Sequence, residues 1–270
     1  MNAHAQARPS DYELPVGLQE NTQRFPLANV ILGERVAFEI QELLDEIRDA
    51  EYLQTKGMRT RHKVMFMGPP GNGKTTIAKG IATELDLPLY YIRAEDLITE
   101  ELGGTSKRIK AIFDFASTHR CILFFDEFDA VGLERDKNKN EDMKRLVSTL
   151  LVQLDSVPEN IIVLAATNHP GSLDKAIWRR FQVRIELDRP ETPEFLRYLK
   201  EFCTRKGIDT STMDFSKIEL LMNFENLSEC EQFCEDSLRR FYRQREAVPF
   251  VDVIKETRER WHTLKKAIVH

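Results

Sequence analysis

No stretch of this sequence approaches the roughly eighteen consecutive apolar residues that a helix needs to cross a bilayer, so a membrane-spanning class is excluded and no membrane partner is expected. Its opening thirty residues carry proline and charge where a secretory leader needs an apolar segment, and the chain is expected to be cytoplasmic. Basic excess is also missing: 39 Lys and Arg stand against 44 Asp and Glu, a net charge of -5. Composition thus gives no general electrostatic reason to expect nucleic acid, although a local basic groove stays open. Cysteine is scarce. Of the four, Cys121 sits in an apolar run and Cys203, Cys230 and Cys234 in helix-like stretches. Cys230 and Cys234 are one helical turn apart, but no histidine is within a dozen residues, so reduced structural thiols are expected rather than a metal site. Internal repeats and low-complexity tracts are absent. What remains is an ordinary globular composition, 41% hydrophobic over 270 residues, enough for one large domain or two.

Residues 1–25, with Pro9, Pro15 and Gly17 and neither helical nor strand period, read as a flexible N-terminal arm. Apolar residues at spacings of three and four (Val36, Ile40, Leu43, Leu44, Ile47, Leu53) predict an amphipathic helix from Glu34 to Leu53. Val30 to Gly33, just before it, is a candidate lid. Strands are predicted at 64–67, 87–92, 121–125, 161–165 and 181–187, with helices at 77–85, 105–117 and 143–154 between them and an exposed charged loop at 134–142. Continuous apolar runs such as Cys121 to Phe125 suit strands buried on both faces. Strands alternating with helices imply right-handed crossovers and a layered parallel α/β sheet. Beyond Arg189-Pro190 every segment reads as helix, so a large domain over 26–189 and a small all-helical domain over 190–270 are expected.

One stretch organises the rest. Gly68-Pro69-Pro70-Gly71-Asn72-Gly73-Lys74-Thr75-Thr76 lies between an apolar strand and a helix and has the form G-x-x-x-x-G-K-T. Glycines let backbone N–H groups curl around phosphate oxygens, Lys74 adds a point charge at the β and γ phosphates, and Thr75 offers a hydroxyl to Mg2+. The alternative, an ordinary Gly/Pro turn, does not require all four fixed positions together. Phosphoanhydride cleavage also needs a cation, a base and further positive charge at the departing phosphate. Asp126 and Glu127 end the buried strand at 122–125. Asp126 reads as a holder of Mg2+ through its waters and Glu127 as the group polarising the attacking water, against the plainer alternative of two solvated acids at a strand end. Asn168 follows the next buried strand and reads either as a contact to the γ-phosphate or its water, or as a turn former. Arg179 and Arg180 read either as arginine fingers reaching the nucleotide of a neighbouring subunit or as a surface pair complementing a helix dipole. In such sheets ligands bind beyond the carboxyl ends of the strands, where these groups are expected to gather.

Five segments together resemble an AAA+ ATPase of the AAA subfamily: GPPGNGKTT at 68–76, ILFFDEFDA at 122–130, LVSTLLVQLD at 146–155, VLAATNHP at 163–170 and LDKAIWRRF at 173–181. In order and spacing they look like Walker A, Walker B, the inter-subunit segment, sensor 1 and the arginine-finger helix. The resemblance runs from about Val30 to Arg243, and the WRRF ending and the NHP after sensor 1 look like small stand-alone bacterial members. It implies a P-loop NTPase fold with a C-terminal helical lid. It also implies hydrolysis of ATP with Mg2+ in a homo-oligomeric ring, commonly a hexamer, that remodels, unfolds or disassembles a protein client, with or without an adaptor. Relatives of this type work beside a protease or on HORMA-domain proteins in defence systems, so an ATP-gated scaffold or regulator of a partner enzyme is the alternative. A nucleic-acid motor or loader ranks behind both. Members that thread polypeptide often carry an aromatic residue in pore loop 1. Aligning Ile98 to Gly103 on that loop puts Glu101 at the aromatic position and Leu102 next. The inter-subunit segment usually has glycine after its aspartate, whereas this chain has Asp155-Ser156, and no arginine marks a sensor 2 near Asn226.

Overall fold

A computed structural model of the chain describes residues 13–97, 104–129, 141–211 and 213–268. The chain separates into two units. The first takes in the described residues up to Val30, together with Val36–Gly68 and Lys74–Leu187. It contains β1 (Leu18–Asn21), α1 (Glu34–Arg48) from Val36 on, α2 (Ala50–Thr55), β2 (Lys63–Met67), α3 (Lys74–Glu84), β3 (Leu89–Ile92), α4 (Ala94–Leu97) and α5 (Gly104–Ser117). It continues with β4 (Ile122–Phe125), α6 (Glu141–Ser156), β5 (Ile162–Thr167), α7 (Lys175–Trp178) and β6 (Val183–Glu186).

The six strands form one sheet in the order β1-β3-β4-β5-β2-β6. All pairings are parallel except β1 on β3, which is antiparallel. Apolar runs explain the middle of the sheet: every residue of β4 and β5 is buried, as a parallel strand covered on both faces requires. On one face Met65, Tyr90, Leu123, Phe125 and Val163 pack with Ile109, Ile112 and Phe113 of α5 and Leu146, Leu150 and Leu154 of α6. Each such side chain contributes roughly 1.5–3 kcal/mol when fully buried. The alternate positions, Val64, Phe66, Phe124 and Leu164, are buried too and point the other way, as a period of two dictates. An aromatic chain runs along the first face towards the strand ends. Phe113 stacks on Phe125 at 6.3 Å, Phe125 meets Phe128 edge-on at 5.7 Å, and Phe128 meets Phe181 edge-on at 5.6 Å. Such pairs add about 0.5–1.5 kcal/mol each beyond burial, and they tie the residues after β4 to those after α7.

The arm expected over residues 1–25 is corrected in part: Leu18–Asn21 is a strand in register with Leu89–Ile92, and Leu18 is buried in the core. Four residues show too little alternation to be read as a strand, and the edge of β3 supplies the hydrogen bonds. Residues 1–12 lie outside the described part. The helix expected from Glu34 to Leu53 is two, broken between Arg48 and Ala50. The charged loop expected at 134–142 and the pore loop at 98–103, with Glu101 and Leu102, fall almost wholly or wholly outside the described residues.

The second unit comprises Ile31–Arg35, Pro69–Gly73 and Asp188–His270. Its helices are α8 (Thr192–Lys206), α9 (Phe215–Glu219), α10 (Leu227–Arg243) and α11 (Phe250–Ile268). A capping box between Glu191 and Glu194 starts α8, and Gly207 at φ 69° ends it. Asn226 caps α10 by accepting from the Glu229 N–H at 2.8 Å. Phe195, Phe224, Phe233 and Val253 fill the core, and Trp261 packs on Phe224 and Phe233 edge-on. Cys203, Cys230 and Cys234 are free thiols buried in it, and burial pushes the Cys203 thiol up to about 12. Two short pieces that the sequence assigns to the large domain belong here by contact. Arg35 pairs with Asp188 at 2.7 Å, Asn72 Nδ2 donates to the Asp188 carbonyl at 3.0 Å, and the Ser228 N–H donates to the Gly71 carbonyl at 3.2 Å.

Candidate active site

Parallel order decides where the chemistry gathers. β4, β5 and β2 are neighbours, with Phe124 opposite Leu164 and Val64 opposite Leu164 in register. Their carboxyl ends therefore lie side by side, and Gly68, Asp126 and Asn168 each follow one of them. At Gly68 the backbone has φ +133°, and an added Cβ would lie 2.2 Å from the Leu187 carbonyl oxygen. Only glycine fits there. At the far end of the loop Gly73, at φ +85°, turns the chain into α3.

Lys74 opens α3 and is 7% exposed. Its Nζ donates to the Gly68 carbonyl at 2.7 Å. Burial lowers its pKa from the ordinary value, against the opposing pull of Asp126 and Asp129. Thr75, next in the helix, donates its hydroxyl to Asp126 Oδ2 at 2.9 Å. Asp126 Oδ1 accepts from the Glu127 N–H at 3.0 Å. A hydroxyl and a carboxylate in contact are a hard-oxygen pair that suits Mg2+, which takes few protein ligands and keeps its waters. Among the described residues no cluster of three or more His, Cys, Asp or Glu is placed to hold a metal, so a softer, all-protein cage finds no support there.

Glu127 is exposed and has a left-handed backbone at φ +51°. For a non-glycine residue that conformation is strained, and strain of this kind gathers at functional turns. Asn168 is held through its main chain: its N–H donates to Asp129 Oδ1 at 3.3 Å. Its side-chain Oδ1 is buried and has no hydrogen-bond partner among the described residues, which leaves an acceptor for a group brought by a ligand. Asp129 has little to mark it in the sequence. The only local signal was a third acid three residues beyond Asp126.

The structure separates the two arginines. Arg180 makes a two-pronged contact with Asp155, Nε to Oδ1 at 3.0 Å and Nη2 to Oδ2 at 2.9 Å, and Nη1 donates to the Ala176 carbonyl at 2.8 Å. Arg179 is exposed at the end of α7. Thus Arg180 is engaged within its own chain, whereas Arg179 presents its charge outward. Of the remaining loop residues, Pro69 and Pro70 are exposed and Asn72 is buried in the second unit at 3% exposure; Thr76, within α3, is half-buried.

Comparison with known proteins agrees with this geometry. Residues 64–189 match the family model for the ATPase family associated with various cellular activities (AAA). An uncharacterized AAA family ATPase of Sinorhizobium fredii is 42% identical over 159 residues, covering 58% of this chain and 48% of the relative. A putative 26S proteasome regulatory subunit homolog of Methanocaldococcus jannaschii is 35% identical over 66% of this chain and 49% of its own length. Spastin of Anopheles gambiae is 35% identical over 71% of this chain and 24% of its own length. The chain thus spans about half the length, or less, of these relatives. No helix among the described residues is long and apolar enough to cross a membrane. With a phosphate-type loop, an acid pair and an asparagine at adjacent strand ends, and the family model over the same residues, residues 64–189 form a domain of the AAA ATPase family.

Proposed function

We propose that the chain hydrolyses ATP with Mg2+ in a homo-oligomeric ring, a hexamer by family habit, and uses the cycle to remodel, unfold or disassemble a protein client in the cytoplasm. The observation that carries this reading is the hydrogen bond of Thr75 to Asp126 at 2.9 Å, which joins the phosphate-loop helix to the acid pair one strand away from Asn168. Gly68 to Thr76 bind the triphosphate, with Lys74 opposite the β and γ oxygens. Thr75 and Asp126 hold the cation, which when bound offsets phosphate charge. Asn168 orients water through its buried Oδ1. Glu127 accepts a proton from that water as the new P–O bond forms and the bond to the bridging oxygen breaks, releasing ADP and phosphate. Arg179 of an adjoining copy supplies charge to the transition state.

The direct test is a pair of variants. Lys74→Ala should lose nucleotide affinity and turnover, whereas Glu127→Gln should bind ATP, assemble and fail to turn over. Proteins trapped by Glu127→Gln in ATP would identify the client. Parental turnover in Glu127→Gln would remove Glu127 from the role of base. A second reading, an ATP-gated regulator of a partner enzyme, draws on the relative whose name is a proteasome regulatory subunit homolog. ATP-dependent assembly with turnover too slow to move a client would favour it.

A further inference from the structure

Tyr90 and Tyr91 are neighbours in β3 with opposite fates. Tyr90 points into the core shared with α5 and α6, so the period of two sends Tyr91 to the other face. There it stands in register with Phe124 of β4 and meets that ring edge-on at 5.5 Å. Two residues beyond Phe124 comes Asp126, whose Oδ2 already accepts from Thr75. The ring of Tyr91 is therefore packed as a phenylalanine would be, against the strand residue two positions before Asp126.

Its hydroxyl is the anomaly. The oxygen is buried and has no hydrogen-bond partner among the described residues. Leaving such a group unpaired costs stability, a cost that a phenylalanine at this position would avoid. Burial first, and then the charge of Asp126, push the phenol up to about 12. Any phenol is protonated at ordinary pH, so towards an anionic neighbour it acts as a donor.

We infer that Tyr91 is a positioning residue for the cation end of the site: with nucleotide and Mg2+ bound, its hydroxyl donates to a water held against Asp126 and so fixes the carboxylate for its task. This rests on the proposed ATPase reading, and deepens it by one residue that lies outside the five motif segments.

The experiment uses the full chain and its Tyr91→Phe variant. Each is titrated with Mn2+ in the presence of ADP, read by the loss of free-ion paramagnetic signal, and with Mg2+ in the presence of a fluorescent ADP analogue. Thermal unfolding without nucleotide is recorded alongside. Expected are a cation midpoint weakened about three- to tenfold, the worth of one ordinary hydrogen bond, and an unfolding temperature equal to or above the parent's. An unchanged cation midpoint overturns the inference while leaving the ATPase reading intact. A lowered unfolding temperature without nucleotide also overturns it, because the hydroxyl would then be serving the fold. If the parent binds no nucleotide, both fall together.

Discussion

Arg180 grips the carboxylate of Asp155 with two parallel hydrogen bonds at 3.0 and 2.9 Å, across from its sequence neighbour Arg179, which is exposed. A guanidinium fork on a carboxylate is geometrically specific. Lys63 reinforces the same corner, donating to the Leu154 carbonyl at 2.9 Å. Adjacent arginines thus have different surroundings. Arg179→Ala is expected to lower kcat by on the order of 10³ or more, the range for a lost arginine finger, with unfolding temperature unchanged. Mixing Arg179→Ala with Lys74→Ala chains should restore turnover, since each supplies what the other lacks. Arg180→Ala should instead cost up to about 1 kcal/mol of stability, because its partner is solvent-accessible. Equal thermal loss in both variants would contradict the division.

Asp129 ties the end of β4 to the turn after β5 by accepting the Asn168 N–H at 3.3 Å. Removing that acceptor frees the asparagine whose buried Oδ1 is proposed above to orient the water. Asp129→Ala should lower kcat on the order of tenfold, one hydrogen bond's worth, with little change in KM. Asp129→Asn, which keeps an acceptor oxygen, should recover most of it. Steady-state kinetics of the two variants decide the matter, and a loss confined to KM would count against a positioning role.

Gly68 admits no side chain. With a Cβ 2.2 Å from the Leu187 oxygen and φ at +133°, Gly68→Ala must move β2 away from the segment after β6. Backbone strain alone places the loss at about 1–3 kcal/mol, readable in urea unfolding. Gly171→Ala is the control, since nothing lies within 4 Å of its added Cβ, and should unfold as the parent does.

His62 predicts a pH dependence. The ring is 5% exposed, and Nδ1 donates to the Thr60 carbonyl at 3.1 Å. Burial, aided by Lys63, holds its pKa below the ordinary 6.5. The unfolded chain takes up a proton near 6.5, the folded chain only at lower pH. Stability from this group is therefore complete above about pH 6.5 and declines as pH falls below it. Urea midpoints at pH 5 and pH 7.5 should differ more for the parent than for His62→Gln. An identical difference in both would clear His62 of the effect.

Much of this molecule is legible without coordinates, for a physical reason. The loop from Gly68 to Thr76 is dictated by local backbone freedom and phosphate chemistry, so its residue types announce it. The buried strands at 122–125 and 162–167 announce themselves by unbroken apolar runs ending in Asp126 and Asn168. Those signals are short-range, and position along the chain preserves them. Only the folded chain decides that β1 joins the edge of β3, that Arg180 is engaged by Asp155 while Arg179 is exposed, that Asp129 holds Asn168, and that the Tyr91 hydroxyl is buried without a partner among the described residues. Each of these depends on groups far apart in sequence and brought together by strand order, and no periodicity or spacing along the chain records such a meeting.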